Sequence, residues 1–182
     1  TSSNTDGTIT STVQANQEAG FSIVKWNGNS LSGTVGHGLL QAPELFFIKR
    51  LDAARNWLVL ETLNNSGGYL DLTDSFTSAR FTAWLNSSSP SSTTIPLGAY
   101  DYTNGTNMIM YCFHSVDSFS KFGSYTGNGS ADGPIVETGF EPAFLMGKRT
   151  DSADNWWIVD NKRNLTNPRN KGLFPNLSSS EL

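Results

Sequence analysis

The stretch P-E-L-F-F-I-K-R-L-D-A-A-R-N-W-L-V-L-E (43–61) returns 99 residues later, without a gap, as P-A-F-L-M-G-K-R-T-D-S-A-D-N-W-W-I-V-D (142–160). Pro43 falls on Pro142, Lys49–Arg50 on Lys148–Arg149, Asp52 on Asp151, Ala54 on Ala153 and Asn56–Trp57 on Asn155–Trp156. Seven of the fifteen positions from Pro43 to Trp57 are identical, where chance supplies about one. The pattern predicts a strand, a turn and a return strand in both places. Proline opens the first strand, where its missing N–H does no harm. Lys-Arg stands where that strand meets water, and Asp-x-Ala-x-Asn holds the turn through side-chain oxygens. Trp57 and Trp156 then serve as repeat core anchors, each filling a large volume beside the return strand.

Working outward at the same offset, Trp26-Asn27-Gly28-Asn29 falls on Tyr125-Thr126-Gly127-Asn128. Phe21–Trp26, Glu44–Arg50, Trp57–Glu61, Ala79–Leu85, Ile95–Tyr100 and Asn107–His114 read as short strands, punctuated by Gly, Asn and Ser turns. Residues 86–94 carry no large apolar side chain and read as an exposed loop or a polar edge. The expected fold is therefore all-β, an antiparallel sandwich or barrel-like repeat with one full unit and one partial unit. Residues 1–20 read as an N-terminal arm or linker, where Ile9 and Val13 could pin a short strand to a neighbour, 21–118 as the first repeat unit and 119–182 as the partial second. The second unit lacks counterparts of Met108–Phe113 and of most of the segment around Phe81–Leu85. A half unit does not close its own core, so the tail packs on the first unit, another chain completes it, or the polypeptide continues. Continuation is the preferred expectation.

Composition narrows the function classes. The 182 residues hold 12 Lys+Arg against 16 Asp+Glu, for a formal charge of -4. Ser, Thr, Asn and Gly occupy 75 positions, and 12% of the chain is aromatic. A folded core under an uncharged polar surface follows. Mild acidity offers no long-range attraction to nucleic acid, and no apolar run is long enough to insert in a membrane as a helix. The single cysteine, Cys112, excludes an intrachain disulfide and a cysteine cluster for zinc.

Candidate chemistry is sparse. His37 sits between glycines in T-V-G-H-G-L and reads as a structural histidine. Cys112 and His114 share a strand face at i and i+2, the minimum for a nucleophile pair, with no orienting group nearby. Glu61, Asp71, Glu137 and Asp160 are carboxylates that glycoside hydrolysis could use, yet no spacing selects two of them. Asp52, Asp151 and Asp154 suit turn capping better than calcium. No catalytic residue, metal site or cofactor is assigned. Lys49-Arg50 and Lys148-Arg149 read as solvated strand ends or partners of acidic loops. The basic segment 162–171 suits contact with an acidic neighbour. One binding surface is left: Trp26, Asn27 and Asn29 with their counterparts Tyr125 and Asn128 combine rings and amides that could stack on a sugar or meet a protein partner.

G-F-S-I-V-K-W-N-G-N (20–29), V-G-H-G-L (35–39) and A-P-E-L-F-F-I-K-R (42–50) resemble an uncharacterised repeat domain of structural proteins from marine tailed bacteriophages, cyanophages among them. F-G-S-Y-T-G-N-G-S-A-D-G-P (122–134), K-R-T-D-S-A-D-N-W (148–156) and D-N-K-R-N-L-T-N-P (160–168) are similar to its second half. The resemblance implies a virion location and a non-enzymatic role in tail fibre, head appendage or capsid decoration. The implied partners are other virion proteins and copies of the chain itself, with neither nucleic acid nor membrane insertion. A carbohydrate-binding host-receptor module, meeting host surface glycan, is the alternative. A polysaccharide-degrading enzyme is the third class.

Overall fold

The computed structural model describes residues 1–181. Its elements in chain order are β1 (Ser2–Asn4), β2 (Ser11–Asn16), β3 (Phe21–Trp26), β4 (Gly33–Gly36), β5 (Leu45–Arg50), β6 (Leu58–Glu61) and β7 (Ser66–Tyr69). Then follow α1 (Ser78–Trp84), β8 (Thr94–Leu97), α2 (Asp101–Asn104), β9 (Met108–Phe113), β10 (Phe144–Lys148) and β11 (Trp156–Asp160). Seven strands form one sheet in the order β1-β2-β3-β9-β5-β6-β7, while β4-β8 and β10-β11 are separate pairs. Every named pairing is antiparallel. The large sheet stays open, with β1 and β7 at its edges. It does not close into a barrel.

Alternation along the central strands sets the core. Val24 and Trp26 of β3, Phe46 and Ile48 of β5, Leu58 and Leu60 of β6, and Met108, Met110 and Cys112 of β9 share one buried cluster. Register stacks these residues across strands: Val24 opposes Met110, Met110 opposes Ile48, and Ile48 opposes Leu58. A second layer covers them, contributed by Val35 of β4, Ile95 and Leu97 of β8, and Phe81, Trp84 and Leu85 from the helical segment.

Three expectations need correcting. Residues 1–20 are not a loose arm: β2 pairs with β3 from Ser11↔Trp26 to Asn16↔Phe21, and Ser11 and Val13 are buried. The segment around Phe81–Leu85 is helix, not strand. Thr77 caps it by accepting the Arg80 N–H at 3.2 Å, and Phe81, Trp84 and Leu85 then fall on one helical face. Asn64–Gly68 reads as a loop by its Asn, Ser and Gly content, yet Ser66–Tyr69 form the edge strand β7. A Cβ at Gly68 would lie 2.3 Å from the Phe76 ring, and one at Gly67 would lie 3.3 Å from Trp84. Two glycines stand there because aromatic rings press on both faces of the strand.

The copied segments fold alike. The pairs run from Leu45↔Glu61 to Ile48↔Leu58 in one and from Phe144↔Asp160 to Gly147↔Trp157 in the other, each the 99-residue translation of its counterpart. Thr62 N–H donates to Glu44 O and Asn161 N–H to Ala143 O, both at 2.9 Å. Arg50 Nε meets Asp52 at 2.7 Å, as Arg149 Nε meets Asp151 at 2.8 Å. Lys49 and Lys148 each donate from Nζ to the carbonyl six residues on, Arg55 and Asp154. Local side chains therefore build the same hairpin twice.

Surroundings differ. Trp156 is 5% exposed, donates from Nε1 to Tyr69 O at 2.8 Å and meets Phe76 edge-on at 5.8 Å. Phe76 N–H also donates to Thr150 O at 2.9 Å, and Asp154 N–H to Thr73 O at 2.8 Å. The second hairpin thus packs on the loop between β7 and α1 of the first unit. Trp57, expected in the core, is only half-buried and stacks on Tyr111 at 6.2 Å between centroids. It lies one residue before β6, where the ring reaches the outer face of the sheet instead of the core.

Candidate functional site

The second face of the large sheet carries the most distinctive surface of the molecule. Residues between the core positions point the other way, so Phe21 and Ile23 of β3, Phe47 of β5, and Ile109, Tyr111 and Phe113 of β9 line up there, all half-buried. Phe21 and Phe113 are directly opposite across the β3–β9 pair with centroids 4.8 Å apart. Phe47 meets Phe113 edge-on at 6.0 Å, and Phe122 reaches Phe113 at 5.8 Å from the following loop. Lys25 and Lys49, both opposite Ile109, flank one end. The second layer does not extend over this face. Its rings are packed against each other while part of each stays exposed to water.

The signal for this face was present in the sequence. F-S-I-V-K-W, L-F-F-I-K-R and M-I-M-Y-C-F carry apolar residues at positions of both parities. Strands of that kind are ordinarily covered on both sides.

The paired aromatic and amide surface proposed from the repeat is not brought together. Trp26 is 3% exposed and belongs to the core, while Tyr125 is 63% exposed in a segment outside any strand. A ring sealed in the core cannot stack on a sugar. Asn29 and Asn128 instead make the same turn twice, each Oδ1 accepting the N–H two residues ahead at 3.0 Å, from Leu31 and Ser130 respectively. Asn27 is exposed.

Trp26 is held by a residue that the sequence reading passed over. Asn104, fully buried, accepts from Trp26 Nε1 at 2.9 Å and donates from Nδ2 to Leu31 O at 2.6 Å. Its own carbonyl accepts Ser30 N–H at 2.7 Å. One amide thus pins the Trp26–Leu31 turn from 73 to 78 residues away. Only the fold makes this visible.

The remaining candidates have structural partners. Arg50 and Arg55 converge on Asp101, at 2.8 and 2.5 Å, and Thr106 donates to Asp52. The Arg50 guanidinium and the Thr106 hydroxyl lower the Asp52 carboxyl to about 2. Glu61 accepts from Asn64 N–H and Ser66 Oγ, Asp71 accepts Trp57 N–H at 3.0 Å, and Asp160 accepts Lys162 and Arg163 N–H at 2.9 Å. Glu61 and Asp160 shape their own turns, and Asp71 ties its segment to the start of the β6 region 14 residues earlier. Glu137 is exposed. In the basic tail, Arg163, Arg169 and Lys171 lie within 2.9 to 4.0 Å of Asp160, Glu141 and Glu181.

Cys112 is completely buried, which pushes its thiol up to about 12. A thiol held protonated is a poor nucleophile. His114 directs Nδ1 to Ser115 O at 2.8 Å. Opposite Cys112 on β3, Ser22 Oγ is buried without a hydrogen-bond partner of normal geometry. We expect Ser22→Ala to raise stability by about 1 kcal/mol in denaturant titrations, since it deletes an unsatisfied hydroxyl. A loss of stability would show that the thiol completes Ser22 after all.

His37 is fully buried, with Leu39 N–H donating to Nδ1 at 3.2 Å and Nε2 facing Ser91 O at 3.2 Å. That pattern fits the neutral ring with its proton on Nε2. Burial lowers its pKa below the ordinary 6.5, outweighing the opposing Ser91 and Asp6 contributions. Below that ordinary value the unfolded chain takes up a proton that the fold resists. Stability contributed by neutral His37 is therefore present at higher pH and lost as pH falls through 6.5 towards the folded value. Denaturant midpoints should drop between about pH 7.5 and about pH 5, and less steeply in His37→Gln, whose amide keeps both bonds without titrating. Parallel slopes would count against this role.

A family described as a domain of unknown function, DUF7483, matches residues 1–182. No curated protein and no solved structure matches the chain. With its full length matched, the protein belongs to the DUF7483 family.

Proposed function

We propose that the chain is a non-enzymatic structural component of a bacteriophage virion, serving assembly and surface display in a tail fibre, head appendage or capsid decoration. The observation that carries this reading is the outer sheet face, where Phe21, Phe47, Tyr111 and Phe113 form a half-exposed aromatic layer. Burial of apolar area at about 25 cal/mol per Å² makes such a face a source of association energy. The duplicated hairpin supports a repeat plan, with one full sandwich-like unit and a partial one beside it. Likeness to repeat domains of marine phage structural proteins supplies the virion setting.

Mass spectrometry of purified phage particles tests the location: the chain should be present in stoichiometric amount. Phe47→Glu places a charge in the outer layer and leaves the core positions intact. The variant should fold, keep its far-ultraviolet spectrum and fail to enter particles. A chain absent from particles, or a variant incorporated like the wild type, would refute the reading.

A further inference from the structure

The first hairpin shows what the second one lacks. β5 has a neighbour on each side, β6 on one and β9 on the other, with β9 paired from Leu45↔Phe113 to Arg50↔Met108. β10 repeats β5 residue for residue and pairs with β11, yet among the described residues no strand occupies its other edge. Antiparallel alternation decides which backbone groups face that edge. In the first hairpin Leu51 N–H donates to Asn107 O, so β5 residues of odd number bond β9, while Thr62 N–H donates to Glu44 O on the β6 side. Shifted by 99, the groups of Phe144, Met146 and Lys148 face outward from β10, and Ala143 bonds Asn161 on the β11 side. Along that edge, among the described residues, only the carbonyl of Thr150, the counterpart of Leu51, has a backbone partner, Phe76 N–H; the other outside bonds of the hairpin, Asp154 to Thr73 and Ile158 to Leu173, leave from its turn and from β11.

Side chains repeat the message. Leu145, Trp157 and Val159 occupy the positions that Phe46, Leu58 and Leu60 fill in the core of the first unit. Leu145 is 41% exposed and its neighbour Phe144 59% exposed. Apolar residues have been placed where the first unit has a core, on a strand whose free edge is ready to pair.

We infer that the free edge of β10 is a strand-acceptor site for a separate polypeptide whose extended segment has the chemistry of β9. That segment runs antiparallel to β10 and alternates apolar residues, one set lying over Leu145 and Trp157. The occupant is defined by the copy of this interface already inside the molecule, where M-I-M-Y-C-F fills the equivalent place. Backbone pairing supplies binding energy and the alternating side chains supply selectivity.

A fluorescent synthetic peptide of residues 107–113, with serine at the cysteine position, provides the test. His114 N–H donates to Gly20 O, so even-numbered residues of β9 bond β3 and odd-numbered ones bond β5. N-methylation at the positions of Ile109 and Tyr111 should therefore weaken binding by about tenfold or more. Methylation at the positions of Met110 and Cys112 should change it by less than about threefold. Met146→Pro, which removes one outward N–H of β10, should weaken the unmodified peptide to the same degree as the damaging methylation. The methylation pair reads the site even if that variant unfolds the hairpin. No binding to the wild-type chain, or equal loss from both methylation patterns, would overturn the inference. A sedimenting dimer that Met146→Pro returns to monomer would also overturn it, by making a second copy the occupant.

Discussion

Replacing Asn104 by alanine should lower the stability of the chain by about 3 kcal/mol, among the largest effects of any polar substitution in it. The side chain is fully buried and serves two groups that have no water to turn to, the Trp26 indole N–H at 2.9 Å and the Leu31 carbonyl at 2.6 Å. Removing it leaves a donor and an acceptor stranded together and opens a void beside the largest core side chain of β3. Gly28→Ala strikes the same network from the other side. A Cβ there would lie 1.9 Å from Asn104 Oδ1 and 2.4 Å from its carbonyl oxygen, so the amide or the turn has to move. The two losses should not add, because either one alone already breaks the clamp. Urea titrations of the two single variants and the double variant measure this directly. An Asn104→Ala chain as stable as wild type would mean that Trp26 is held by packing alone.

Trp156→Ala should remove about 3 kcal/mol or more from the local stability of the second hairpin and leave the seven-stranded sheet folded. The ring is almost wholly buried, bonds Tyr69 O and meets Phe76, so it is the main apolar attachment between hairpin and first unit. Trp57→Ala, at the same place in the repeat, should cost only about 1 kcal/mol, since that half-buried ring loses one stacking contact with Tyr111. Amide hydrogen exchange separates the two. The first variant should lose protection at Phe144–Lys148 and Trp156–Asp160 alone, and the second should lose little anywhere. Equal effects would show that position in the repeat, not surroundings, governs both residues.

How far each feature could be read beforehand depends on the range of the forces behind it. The hairpins were legible because their parts lie close along the chain and recur at one spacing, although the structure adds what that spacing did not tell: arginine meets the aspartate two places on, and the lysine read as water-facing donates to a carbonyl six places on. β3, β5 and β9 were legible from their apolar content. β2 was legible only as a short strand that Val13 could pin to a neighbour, because S-T-V-Q-A-N offers one large apolar side chain and owes its form to the neighbouring β3. The α1 segment carries apolar residues at both strand and helix spacing, and the Thr77 cap with burial of Phe81, Trp84 and Leu85 tips it to helix.

The candidate site divides along the same line. Both-parity apolar strands announced a covered or sticky outer face. Trp26 and Tyr125 occupy equal places in the repeat, yet one is sealed under Asn104 and the other stands in solvent. By itself the amino-acid order determined the antiparallel β character, the duplicated strand-turn-strand segment, and the central strands β3, β5 and β9. Each of these depends on neighbours close along the chain. The tertiary structure alone decided which tryptophan is buried, that a glycine pair serves as an edge strand, and that one face of the sheet and one edge of β10 are left open. Those outcomes depend on contacts between segments tens of residues apart, and no local pattern encodes which distant surface will arrive.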